Sequence, residues 1–126
     1  MMPGLLLDTH VALWWFTADP RLPPADRDLI GARRCHVSLA SLWEVAIKFR
    51  FDKLPVSPRD FLGAIEGAAM RLLPINQTHI IATGELPLLH GDPFDRLLVA
   101  QSMTESLVLL TADRRLEAYG GPIRIL

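Results

Sequence analysis

The sequence predicts an α/β domain built on a largely parallel sheet. Short apolar runs alternate along the chain with amphipathic helical patterns, the order that strand–helix–strand units produce. Ser57-Pro58 and Asp92-Pro93 each pair a capping residue with a first-turn proline, a strong helix start. No linker, repeat or low-complexity tract interrupts the alternation. Half of the 126 residues are apolar, enough for residues 1–126 to bury one core as a single domain.

Gly4 to Leu7 reads as the first strand, followed by a helical pattern from Thr9 to Phe16. The proline-rich stretch Asp19 to Pro24 reads as a loop before a short helix reaching about Ala32, and Cys35 to Ser38 as a second strand. Leu39, Leu42, Trp43, Ala46 and Ile47 recur at the spacing of a buried helical stripe. Ser57-Pro58 opens a helix expected to run to about Met70. Leu72 to Ile75 reads as a third strand and Thr78 to Leu86 as a short helix. Asp92-Pro93 introduces the helix Phe94 to Glu105, and Ser106 to Leu110 is the most β-like run. A short helix through Tyr119 and a strand from Ile123 to Leu126 follow.

Composition removes several classes of function. The net charge of −1 with 21% charged residues excludes a disordered chain and a globally basic nucleic-acid binder. Cys35 has no partner for a disulfide. No apolar run reaches the roughly 18 residues of a membrane span, and no secretory signal is evident, so a cytoplasmic protein with no membrane partner is expected. Charge is unevenly distributed. Residues 33–59 carry six basic groups against Glu44 and Asp52, while residues 60–113 carry seven acids against Arg71 and Arg96. A basic arm beside an acidic pocket produces that split, as does ordinary unevenness of surface charge.

Four acids stand out by position. Asp8 follows the first strand, Glu44 lies in the first turns of the helix after the second, Asp95 in the first turn after Asp92-Pro93, and Asp113 two residues beyond the fourth strand. In a parallel sheet such junctions share the carboxyl edge, where α/β folds place ligands. Singly, each acid has a structural explanation. Asp8 and Asp113 suit N-caps, Ser41-Leu42-Trp43-Glu44 matches a capping box, Glu44 and Lys48 suit an i, i+4 ion pair, and Asp92 with Asp95 suits a cap and a first-turn acid. Together they would repel unless a cation joined them. A hard divalent ion, Mg²⁺ or Mn²⁺, accepts such oxygens and activates water for phosphodiester attack. The histidines (His10, His36, His79, His90) lack a metal-binding spacing, and no P-loop or nucleophile elbow is present.

Leu6-Leu7-Asp8-Thr9-His10, Ser41 to Lys48, His90-Gly91-Asp92-Pro93-Phe94-Asp95-Arg96 and Leu110-Thr111-Ala112-Asp113, in this order, resemble PIN domains, and specifically the VapC-type toxins of toxin–antitoxin modules. The resemblance implies a three-layer α/β/α sandwich, metal-dependent endoribonuclease activity on RNA such as tRNA, a small VapB-like antitoxin that blocks the site, and a homodimer. It carries a catalytic quartet onto Asp8, Glu44, Asp95 and Asp113. Asp8, Asp95 and Asp113 match metal ligands, Glu44 completes the shell or orients water, and Thr111 and Asp92 support the site. Asp52-Lys53-Leu54 departs from the glycine turn usual in these toxins, although Asp tolerates a left-handed turn.

Consecutive helical residues diverge by about 100°, so Trp14-Trp15-Phe16 cannot all face one core. At least one is expected near the surface, covering a loop or lining an interface. Lys48, Arg50 and Lys53 are candidate contacts for RNA phosphates or antitoxin acids. Two other readings remain. One is a phospho-receiver domain, which wants an acidic pair where Asp8-Thr9 stands and a lysine after the last strand. The other is a PIN-like scaffold that binds RNA or a partner without cutting.

Overall fold

The computed structural model describes residues 2–126. Five strands, β1 (Leu5–Leu7), β2 (Cys35–Ser38), β3 (Arg71–Leu73), β4 (Val108–Thr111) and β5 (Ile123–Ile125), pair in the order β3-β2-β1-β4-β5. Every pairing is parallel, with Leu5 opposite both Cys35 and Val108. Six α-helices accompany them: α1 (Thr9–Phe16), α2 (Pro24–Ala32), α3 (Leu39–Arg50), α4 (Pro58–Gly67), α5 (Gln77–Glu85) and α6 (Pro93–Glu105). A 3-10 helix at Arg114–Tyr119 leads into β5.

Side-chain alternation along β1 divides the interior. Leu5 and Leu7 join Val11, Ala12, Ile30, Val37, Phe61 and Ile65 on one face. Leu6 joins Leu98, Val99, Leu109 and Leu116 on the other. A strand apolar on both faces needs cover on both, which gives the α/β/α sandwich expected. All three leucines of β1 are fully buried, each contributing about 1.5–3 kcal/mol of burial free energy.

Element boundaries follow local chemistry. Strand β3 stops before Pro74, which has no N–H for a ladder, where the apolar pattern suggests Leu72 to Ile75. The fourth strand starts at Val108 because Ser106 is the left-handed C-cap of α6, at φ 55°. The Ser57-Pro58 helix ends at Gly67 and not near Met70, because Ala69 turns left-handed at φ 55°. Asp52 also adopts φ 55°, the conformation that the missing glycine would have supplied.

Two expectations for α3 are corrected. The capping box at Ser41 does not form, because α3 begins directly at the end of β2. Its cap is Ser38, whose Oγ accepts from the Ala40 N–H at 3.0 Å. The apolar stripe is also not the buried face. Ala40, Ser41, Glu44 and Val45 point inward, whereas Trp43 is 61% exposed and Leu39 37%. The inward face holds Ser41 and Glu44 at the sheet edge; of the stripe, Leu42 packs against the core, while Trp43 and Ile47 line a groove. There Trp43 meets Phe94 edge-on at 5.4 Å between centroids.

Because β1 is central and covered on both sides, Leu6→Ala is expected to lower stability by about 2–5 kcal/mol. Urea unfolding followed by circular dichroism measures this.

Candidate metal centre and active site

The three central strands deliver three of the four acids. Asp8 leaves β1, Glu44 sits in the second turn of the helix leaving β2, and Asp113 follows β4. These strands flank the point where the chain changes direction across the sheet, the place where open α/β sheets form their crevice. Asp95 reaches the same edge from the first turn of α6. A pocket of about 340 Å³ opens there, walled by Asp8, Glu44, Asp92, Asp95 and Asp113, with His10, Trp14, Lys48, Ala112 and Arg115 around it.

Asp8 occupies the N-cap position of α1 without capping it. Its Oδ2 instead accepts from the Thr111 hydroxyl at 2.5 Å. The same hydroxyl oxygen accepts the Asp113 N–H at 3.1 Å, which directs its one proton toward Asp8. Thr111 thereby joins the ends of β1 and β4. Burial is the main cause pushing the Asp8 carboxyl above its ordinary value, and the charge of Glu44 adds to it.

Glu44 is held by two partners. Its Oε1 accepts from the Thr9 hydroxyl at 2.7 Å, and its Oε2 pairs with Lys48 Nζ at 2.8 Å. Ser41 Oγ lies 2.8 Å from the Thr9 hydroxyl oxygen. A carboxylate only accepts, so Thr9 donates to Glu44 and receives from Ser41. Thus Lys48 is committed to Glu44 at the pocket wall, while Arg50 and Lys53 are exposed beyond it.

Asp92 is the N-cap of α6, its Oδ1 accepting from the Phe94 and Asp95 N–H groups at 2.8 and 3.2 Å. Asp95 is left free to face the pocket. Burial first, then repulsion by Asp8 and Asp92, raises its carboxyl to about 6. Asp113 shows the opposite behaviour. Arg115 donates to it from Nε at 3.0 Å and Nη2 at 2.9 Å, and this hydrogen-bonded fork lowers its carboxyl.

His90 is the site residue to which sequence reasoning assigned no role. Its Nε2 stands 2.9 Å from Asp95 Oδ2 and 3.4 Å from Asp113 Oδ2, with the ring almost buried. The signal lay in its place beside Asp92-Pro93, not in any spacing between histidines. Arg96 braces the segment that carries it. The guanidinium donates to the carbonyls of Thr83, Leu86 and Pro87 and to the Tyr119 hydroxyl, at 2.7–3.3 Å. Tyr119 in turn reaches the His90 carbonyl at 3.5 Å.

His90, Asp95 and Asp113 each present one atom within 4.8 Å of the others, a spacing fit for one ion. Asp8 faces the same pocket. Clustered carboxylate oxygens beside an imidazole are a donor set for a divalent cation. The raised carboxyls of Asp8 and Asp95 point the same way, since their charges lack sufficient compensation from the protein alone.

The raised carboxyls make the metal-free fold sensitive to pH. Between the ordinary carboxyl value and about 6, folded Asp95 holds more protons than the unfolded chain does. Its contribution to stability therefore falls as pH rises. Asp95→Asn removes that contribution. The gain in urea midpoint of this variant over the parent, measured with chelator present, is expected to be larger at pH 7.5 than at pH 5.0.

Comparison with known proteins agrees with this architecture. Residues 5–122 match the PIN domain. The chain is 30% identical over 125 residues to Ribonuclease VapC22 of Mycobacterium tuberculosis (strain ATCC 25618 / H37Rv), covering 96% of this chain and 95% of the relative. Its fold is similar to that of DNA-bound VapBC from Salmonella typhimurium, with a TM-score of 0.67 and 21% identity over 99% of this chain and 98% of that one. It is also similar to VapBC2 from Rickettsia felis bound to a promoter DNA fragment, with a TM-score of 0.68 and 15% identity over 96% and 97% of the two chains. A chain with this sheet order, this acid-lined edge and a match over nearly its whole length belongs to the PIN-domain family.

Proposed function

We propose that this protein is a metal-dependent endoribonuclease acting as the toxin of a toxin–antitoxin pair, with residues 1–126 working as one cytoplasmic domain. The observation that carries the reading is the convergence of Asp8, Glu44, Asp95 and Asp113 on one pocket. The likeness to a VapC ribonuclease supports the same substrate class.

Asp8, Asp95 and Asp113 would hold a Mg²⁺ or Mn²⁺ ion, with His90 beside Asp95 and Asp113. When bound, the ion lowers the pKa of water and offsets charge developing on the phosphate. Glu44, oriented by Thr9 and Lys48, positions the attacking water or completes the shell. Thr111 fixes the rotamer of Asp8, and Asp92 frees Asp95 by capping α6. Water adds to phosphorus and the ribose 3′-oxygen departs, leaving 5′-phosphate and 3′-hydroxyl ends. Lys48, Arg50 and Lys53 form the cationic flank for the RNA backbone or antitoxin acids.

A VapB-like antitoxin and a second copy of the chain are the protein partners in this reading. Solved structures similar in fold are toxin–antitoxin complexes. The outward stripe of α3 gives partners a surface. Trp43 and Ile47 line an apolar groove of about 640 Å³ with Ile80, Phe94 and Leu97, the kind of patch that soluble proteins cover. Among the described residues, no helix is long and apolar enough to cross a membrane.

Antitoxin-free protein is expected to cut a total-RNA pool, tRNA included, with Mg²⁺ or Mn²⁺ and not with EDTA. Asp8→Asn is expected to lower cleavage by roughly two or more orders of magnitude while keeping the circular dichroism spectrum. Gel analysis of the fragments measures both. Full activity of the variant, or no cutting by folded, metal-bound parent, overturns the assignment and favours a binding scaffold.

A further inference from the structure

The ribonuclease reading explains the acids but not the aromatic triplet Trp14-Trp15-Phe16. Phe16 packs edge-on against Phe61 in the core at 6.0 Å. Trp15 lines a different depression, with Ile30 and Cys35. Trp14 alone of the three lines the acid pocket, and it also lines a second cleft of about 330 Å³ beside it. The two clefts share the wall made by His10 and Trp14, whose rings meet edge to face at 6.3 Å. These residues stand one turn apart on α1, starting two positions after Asp8.

A cation lies over the Trp14 ring. The Arg21 guanidinium lies 5.0 Å from the Trp14 ring centroid. Asp19 holds it in place, accepting from Nε at 3.1 Å and Nη2 at 2.8 Å. Leu54, Pro55 and Val56 form the remaining apolar wall. Imidazole, indole and guanidinium thus form a strip leading out of the acid pocket.

We propose that this strip seats the base of the nucleotide next to the cleaved phosphodiester, which rests on the ribonuclease reading above. A nucleobase is a flat apolar plate with polar edges. The second cleft offers matching parts: an aromatic wall, a facing aliphatic wall, and Asp19 and Arg21 as a fixed acceptor and donor. A peptide would also find apolar contact here, but the continuity with the acid pocket favours RNA. A strand whose phosphate lies at the carboxylates must pass its neighbouring base along His10 and Trp14. Only an unstacked base enters such a cleft, so the strip selects single-stranded segments, such as loops, over duplex.

The test is a double cycle between protein and RNA. A synthetic 12-nucleotide RNA spanning a bond cut by the parent protein is compared with two versions carrying an abasic site, one on each side of that bond. Trp14→Leu keeps apolar bulk against the core while removing the stacking surface, Trp14→Phe keeps a ring, and Arg21→Ala changes an exposed residue. Melting temperatures report whether each variant is folded.

Trp14→Leu is expected to reduce kcat/KM on intact RNA by roughly ten- to a hundredfold, mainly through KM, the size of a lost base–aromatic stack. On one of the abasic RNAs the same variant is expected to match the parent. Trp14→Phe recovers most of the loss, and Arg21→Ala shows a smaller defect that also disappears on that abasic RNA. A loss equal on intact and both abasic RNAs overturns the proposal, because the defect then belongs to the fold and not to a base. Unchanged cleavage of all three RNAs by Trp14→Leu and Arg21→Ala also overturns it, leaving the strip as a protein contact. Failure of the parent to cut any RNA refutes the ribonuclease reading itself, and this proposal with it.

Discussion

Gathering carboxylates at one edge of a sheet is unfavourable twice, once because each loses water and again because the charges repel. The rest of this structure is arranged around that constraint. Asp8 and Asp95 bear it most, and both have carboxyls raised above the ordinary value. Their neighbours are eased by local partners: Lys48 beside Glu44, Arg115 beside Asp113, and two backbone N–H groups on Asp92. The compensation is uneven, and the least compensated acids face the pocket. A cation placed among them would offset that charge, as clustered carboxylates require.

The fold anchors this arrangement through its core. Leu5, Leu6 and Leu7 are fully buried between two apolar layers, so the strand that ends in Asp8 is anchored along its whole length. Small hydroxyl residues then convert strand position into side-chain position. Thr111 aligns Asp8, and Thr9 with Ser41 aligns Glu44. Arg96 does the equivalent for the segment that carries His90, using carbonyl groups exposed at the end of α5. Precision at the site therefore comes from neutral donors and one guanidinium outside it.

Much of this was legible in the residues. The alternation of runs and helical patterns gave the parallel sheet, and both capping residues before proline bond as expected, Ser57 to the Asp60 N–H and Asp92 to the Phe94 N–H. All four acids lie on one pocket; Asp8, Glu44 and Asp113 arrive from strand ends as their positions implied, whereas Asp95 arrives from a helix that follows another helix. Misreadings arose where tertiary demands outweighed local pattern. Ser41 looks like a cap because serine three residues before glutamate usually is one, yet β2 feeds α3 without a loop. The stripe through Leu39 and Trp43 looks buried because apolar periodicity reports a sticky face without saying what covers it. His90 carried no periodic signal, since its partners Asp95 and Asp113 are brought to it by the meeting of α6 with β4.

The hydroxyl of Thr111 joins residues that are 103 positions apart. Asp8 is synthesised 103 positions before Thr111, and Asp113 two residues later still. Chains grow at roughly 5–20 residues per second and fold as segments emerge, so β1, α1 and α3 exist for seconds with only part of the acid set. A chain cut short before β4 lacks both the proton that aligns Asp8 and the carboxylate of Asp113. The order of synthesis therefore makes the acid-lined pocket one of the later features of the domain to be completed, after the strand that anchors Asp8 already exists.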